Sequence, residues 1–274
     1  MKLNFRRIIN SINYRLIRPL TGADAKQRAS KADFHKTYRR FVKNLSRDYS
    51  HDEAMKMAVG GEFDAIGILE RETLIHHGLR EDDYLIDVGC GSGRLAKPLA
   101  DYLKGDYLGI DVVPELIAYA RQLVPRPDWW FELAEGLKIP EQDGRADMVC
   151  FFSVLTHLLH EESYTYLSEA KRVLKLGGKI VFSFLDFGVP DHWGVFKLTL
   201  PGAGVGSHPL NVFMCPDVIH VWASHLDLKV EFIQYNNEPY VPLRQPVKLE
   251  NGSVIRDKGT VWQSICVLVR KGDD

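Results

Sequence analysis

From about residue 84 onward, short apolar, β-rich runs alternate with helical stretches, and that alternation restricts the chain to one kind of architecture. Residues 85–88, 107–111, 129–133, 148–152 and 179–184 read as strands, with helices at about 93–103, 114–123, 162–174 and 216–226 between or after them. Repeated strand–helix units call for a parallel sheet covered by helices on both faces. The tail breaks the rhythm, because 229–235 and 261–269 form two strands separated by a polar, proline-containing stretch rather than by a helix. An antiparallel closing pair fits that pattern. The expected fold is therefore α/β: a doubly wound, mostly parallel seven-stranded sheet with an antiparallel C-terminal strand. A length of 274 residues suits one such domain with additions.

The additions lie at the N-terminus. Residues 1–50 carry thirteen Lys/Arg against three Asp/Glu, whereas the rest of the chain has twenty-two against thirty-three, so a basic head precedes an acidic body. Phe5, Ile8, Ile9, Ile12 and Leu16 share one face of a first helix, stopped by Pro19 and Gly22. A basic amphipathic helix can lie in an anionic membrane interface, and the same stripe can cover a protein core, so residues 2–18 allow peripheral membrane contact or docking on the acidic body. A second helix spans about 32–49 and a third about 63–77, ending at Gly78 as C-cap. The expected division is a basic helical extension over residues 1–60 and a ligand-binding domain over 61–274. No apolar run reaches the roughly eighteen residues that span a bilayer, and the four cysteines form no C-x-x-C pair. The expectation is a cytoplasmic protein, peripheral at the inner membrane face if the head binds lipid, without disulfide framework or metal site.

The chemistry begins where the first strand runs into Asp87-Val88-Gly89-Cys90-Gly91-Ser92-Gly93-Arg94 and a helix. Alternate glycines permit a tight turn and close approach of backbone to a ligand. The next strand ends in Gly109-Ile110-Asp111, which brings a carboxylate to the same sheet edge, where ribose hydroxyls can be held. A dinucleotide fingerprint would need G-x-G-x-x-G to seat a pyrophosphate; the spacing here is G-x-G-x-G. In this order and spacing the motifs resemble the class I S-adenosylmethionine-dependent methyltransferases, a Rossmann-like fold. The likeness continues through Ala134-Glu135-Gly136, Ala146 to His157, and Arg172 to Lys179, and covers roughly residues 63–185.

That resemblance implies S-adenosyl-L-methionine as cofactor. It puts Gly89, Cys90, Gly91, Gly93 and Arg94 around the amino acid part, Asp111 on the ribose and Val112 beside the adenine, with Ala134, Glu135 and Phe152 completing the site. Asp87 is expected to orient the loop or the cofactor's ammonium group. Many relatives place an aspartate after the third strand; this chain has Glu132-Leu133-Ala134-Glu135, leaving the adenine edge to a backbone N–H or to Glu135.

A sulfonium methyl is already activated, so transfer mainly needs a placed nucleophile, plus a base where that nucleophile is a hydroxyl. The base candidates are His157, just after the fourth strand, and His192 and His208 in a long segment at about 186–215 that reads as a lid. Trp193 and Phe213 are candidates for an apolar or sugar-binding wall. The Asn/Asp-Pro-Pro-aromatic run of amino-directed nucleic-acid methyltransferases is missing, as are a cytosine-directed cysteine and paired arginine-directed glutamates. These absences leave a small-molecule or glycan acceptor, with nucleic acid disfavoured. A non-catalytic cofactor-binding scaffold, an RNA methyltransferase using the basic head and an NAD-dependent oxidoreductase stand as alternatives.

Overall fold

The computed structural model describes residues 34–200 and 211–272. The first helix, the membrane-contact segment 2–18 and His208 lie outside them. Two helices lead the described chain, α1 (Phe34–Asp48) and α2 (His51–Ala58), followed by α3 (Phe63–His76). The second of these went unread in the sequence although it carries a capping box: the Ser50 hydroxyl receives the Glu53 N–H, and the Glu53 carboxylate receives the Ser50 N–H.

Alternating units follow: β1 (Leu85–Val88), a short α4 (Ala96–Leu99), β2 (Tyr107–Asp111), α5 (Pro114–Leu123), β3 (Trp129–Leu133), β4 (Ala146–Phe151), α6 (His160–Val173) and β5 (Leu174–Asp186). The helix expected over 93–103 shrinks to four residues because Pro98 stands inside it and has no N–H to continue the ladder. The expected lid loop is not a loop throughout. It contains α7 (Pro190–Thr199) and a two-residue strand β6 (Phe213–Met214) that pairs with the end of β5. Next come α8 (Pro216–His225) and β7 (Leu228–Ile233). Helices α5, α7 and α8 all begin with proline, whose fixed φ suits a first turn that needs no N–H.

The polar stretch before the last strand folds into two small antiparallel pairs, β8 (Val241–Pro242) with β11 (Lys258–Gly259) and β9 (Val247–Lys248) with β10 (Val254–Ile255). The chain closes in β12 (Ser264–Arg270), antiparallel to both β5 and β7. The main sheet has the order β3-β2-β1-β4-β5-β12-β7, the expected seven strands, with β6 appended to β5. Side-chain alternation sends one set of residues to each face. One face packs Phe151, Phe182 and Phe184 against α6 and α8, and the other packs Leu85, Cys150 and Val181 against α3, α4 and α5. A third cluster joins Val42, Leu45, Ala54 and Met55 of α1 and α2 to Val113, Leu116 and Tyr119 around α5. Order reverses between β1 and β4, and such a switch point opens a crevice at the carboxyl ends of the strands. Among the described residues no helix is long and apolar enough to cross a membrane.

Candidate cofactor and acceptor site

The glycine turn lies at that crevice. Gly89, Gly91 and Gly93 have φ of 79°, 55° and 87°, all in the left-handed region where a side chain is strained. Space is short as well: a Cβ on Gly89 would lie 2.3 Å from Val154 Cγ2, and one on Gly91 2.4 Å from Val59 Cγ1. The Gly89 and Cys90 N–H groups both donate to Ile110 O, and the Gly91 N–H donates to Asp111 Oδ2 at 3.0 Å. Asp111 Oδ1 receives the Val113 N–H at 2.9 Å. The carboxylate is buried, and burial pushes its pKa up to about 6 against the pull of those N–H donors. Each oxygen has a second lone pair, so the group can anchor the loop and still accept a ligand hydroxyl.

Loop orientation thus falls to Asp111, whereas Asp87 makes its contacts beneath the turn. Asp87 Oδ2 receives the Tyr107 hydroxyl at 2.8 Å, and the Cys150 thiol points at Oδ1 from 3.6 Å. Burial raises its pKa to about 7. Three further expected site residues have protein partners of their own. Arg94 spends its donors within the protein, Nε and Nη2 on Glu70 and Nη1 on Val59 O at 2.6 Å, so it ties α3 to the end of α2. The Cys90 side chain is buried, with its pKa well above the ordinary thiol value, and only its backbone faces the turn. Phe152 is buried in the apolar cluster beneath α3 and α5.

The remaining residues line the edge. Val112 O receives Arg39 Nε at 2.8 Å and Nη2 at 2.6 Å, which lays α1 across the strip after β2. The Ala134 N–H is committed to Asp111 O at 2.8 Å, so of the two adenine-edge candidates Glu135, exposed on the rim, stays available. An aromatic stripe on α1, which includes Tyr38 and Phe41, also reaches this edge. Tyr38 is half-buried, donates its hydroxyl to Ala58 O at 3.0 Å, and has its pKa driven far up by desolvation and by the nearby Asp111 carboxylate. Ser92 Oγ reaches Met55 O at 2.9 Å, a second tie between loop and cap.

On the acceptor side, His157 ends a 3₁₀ turn, Leu155–His157, one step beyond β4 and is half-buried. His192 takes another role. Its Nδ1 receives the Asp186 N–H at 2.9 Å, which makes Nε2 the protonated nitrogen facing Trp262 O at 3.2 Å. Burial lowers its pKa. Both nitrogens serve the main chain, so His192 fastens α7 to the segment before β12 and has no lone pair left for an acceptor.

The comparisons agree with this geometry. Residues 86–182 match a protein family described as a methyltransferase domain. An O-methyltransferase, cnsE, of Penicillium expansum is 27% identical over 128 residues, 45% of each chain. The chain thus spans less than half the length of that relative. A ubiquinone biosynthesis O-methyltransferase of Xylella fastidiosa is 27% identical over 177 residues, 60% of this chain and 68% of that one. Among solved structures, a magnesium protoporphyrin IX methyltransferase from Synechocystis with bound S-adenosylhomocysteine superposes with a TM-score of 0.58 at 15% identity, covering 88% of this chain and all of that one. A Methanosarcina mazei S-adenosylmethionine-dependent methyltransferase gives 0.54 at 16% identity, covering 73% and 98%. Residues 86–182 thus match a methyltransferase domain, and the fold is the one seen in solved S-adenosylmethionine-dependent methyltransferases. The glycine turn with the doubly hydrogen-bonded Asp111 has chemistry that suits S-adenosylmethionine.

Proposed function

We propose that the protein transfers the methyl group of S-adenosylmethionine to a hydroxyl of a small molecule or glycan. The observation that carries this is the buried Asp111 carboxylate, held between the Gly91 and Val113 N–H groups beside three left-handed glycines. Bound S-adenosylmethionine supplies a methyl group already activated by its sulfonium. The chain's own work is to grip, orient and exclude water. Asp111 would take the ribose, the turn would leave room for the amino acid part, and α1 with Tyr38 and Arg39 would cover the cleft from outside. Oxygen as the acceptor atom is supported by the names of the O-methyltransferase relatives. A hydroxyl must lose its proton during transfer, and the position of His157 after β4 supports giving it that role.

Tritiated-methyl transfer from S-adenosylmethionine to a panel of phenols, sugars and glycans tests the reading. Label should enter at least one hydroxyl compound, with turnover cut at least tenfold by His157→Asn. Cofactor binding with no transfer to any member of the panel, or label entering only amines or RNA, would contradict it.

A further inference from the structure

Beyond the cofactor turn, a closed circuit of contacts surrounds the carboxyl ends of β4 and β5. Ser153 leaves β4 with φ of 58°, and Trp262 approaches β12 with φ of 61°. Left-handed backbone at non-glycine residues is held only where surroundings enforce it, and it concentrates at functional sites. Here the two are joined. Gln263 Nε2 donates to Ser153 Oγ at 3.0 Å, Ser183 Oγ donates to Gln263 Oε1 at 2.6 Å, and the Ser153 N–H donates to Ser183 Oγ at 2.8 Å. Trp262 O is the main-chain partner of His192 on α7. The circuit closes on the far side, where Thr156 Oγ1 donates to Ser153 O at 3.1 Å and Thr156 O receives the Val212 N–H at 2.7 Å, just before Phe213.

The wall of this circuit is aromatic. Trp193 stacks on Phe196 with centroids 4.7 Å apart, and Phe187 lies 5.0 Å from Phe213. Phe196 meets Phe213 edge-on at 5.5 Å. Phe187, with three ring neighbours, and Trp193, with two, are nevertheless each 41% exposed. At its other end the circuit abuts the cofactor turn, since Val154 fills the space above Gly89. Val154 thus joins the polar circuit to the glycine turn, and Val212 and His192 tie it to the segments that carry the aromatic rings.

We propose that this circuit is the acceptor seat and that it takes a flat phenolic ring: the ring lies against Phe187 and Trp193, and its hydroxyl oxygen receives the Ser153 O–H. The Gln263 amide occupies one lone pair of Ser153 Oγ, which leaves the hydroxyl proton to donate. Gln263 and Ser183 are positioning residues that hold Ser153 in its strained conformation. A sugar fits the chemistry less well, because it carries polar groups around its ring and the wall offers π-surface in place of donors and acceptors for them. The inference rests on the methyl-transfer reading above and narrows its acceptor.

The test uses 4-nitrocatechol, whose visible absorbance responds to hydrogen bonding and ionisation of its hydroxyls, added to the full-length protein saturated with S-adenosylhomocysteine. Saturable binding with a spectral shift is expected. Trp193→Ala should weaken it at least tenfold, Phe187→Leu several-fold, and Ser153→Ala should remove most of the shift. Methyl glucoside should not compete. S-adenosylhomocysteine affinity should stay within twofold throughout, which also certifies that each variant is folded. Saturable binding indifferent to Trp193 and Ser153, displacement by the glucoside, or no binding to the cofactor-loaded protein would overturn the proposal. Failure of the methyl-transfer reading looks different, since it shows as loss of S-adenosylhomocysteine binding or as label reaching no hydroxyl compound in the transfer assay, whatever the catechol titration gives.

Discussion

Asp111 carries two loads in the proposed function: it closes the glycine turn onto β2, and its remaining lone pairs would take the ribose. Because burial holds its pKa near 6, the ionised form needed by donating hydroxyls is reached only above that pH. Cofactor binding favours the carboxylate, so affinity should fall as pH drops through about 6 and be roughly tenfold weaker at pH 5 than on the plateau above pH 7. Titrating S-adenosylhomocysteine across that range checks this, and Asp111→Asn should bind weakly with a flat profile. The same burial acts on folding with the opposite preference. A carboxyl whose pKa is raised in the folded state binds more protons there than when unfolded, so its contribution to cofactor-free stability falls as pH rises from about 4 to 6. The left-handed turn at Gly89 and its closure by Asp111 were legible in the sequence because they depend on residue type and spacing. The side-chain partners of Asp87, Cys90, Arg94 and Phe152 were not, because a motif places a backbone while strand register and neighbouring helices decide where each side chain points. Glu70, on a helix outside the motif, claims Arg94, and no local pattern announces that.

At the scale of elements, the strands and the helices α5 and α8 were readable from apolar runs and helical periodicity. Misreadings had local causes. Pro98 cut short the helix after the cofactor turn, and the lid segment hid α7 behind its glycines although Val189-Pro190 marks the start of a helix. The capping box of α2 was visible in Ser50-x-x-Glu53 and was overlooked beside the stronger aromatic stripe of α1. That small helix matters because Met55 O holds Ser92 of the cofactor turn and Val59 packs over Gly91. Ser50→Ala should remove a capping bond worth about 1 kcal/mol. The expected outcome is a modest loss of global stability with clearly faster amide exchange across residues 51–58. Unchanged exchange there would mean that tertiary packing, rather than the cap, sets the local stability of α2.

For the molecule as a whole, sheet order brings the parts together. Reversal between β1 and β4 opens the cleft, α1 and α2 cover its cofactor side, and β5, β6, β12 and α7 frame the acceptor side. The parallel sheet and its antiparallel closure followed from the alternation of strand and helix in the sequence. The circuit joining Ser153, Ser183 and Gln263 did not, because its members are separated by 110 residues in one case and meet only through the antiparallel register of β12 on β5. Long-range polar networks of this sort have no periodic signature. The most direct test of the account is calorimetric titration of S-adenosylhomocysteine into the wild-type protein and Asp111→Ala, with folding followed by near-ultraviolet circular dichroism. The account predicts one site in the wild type and binding weakened at least thirtyfold (about 2 kcal/mol) in a variant that remains folded. Absence of binding to the folded wild type, or equal affinity in the two, would contradict it.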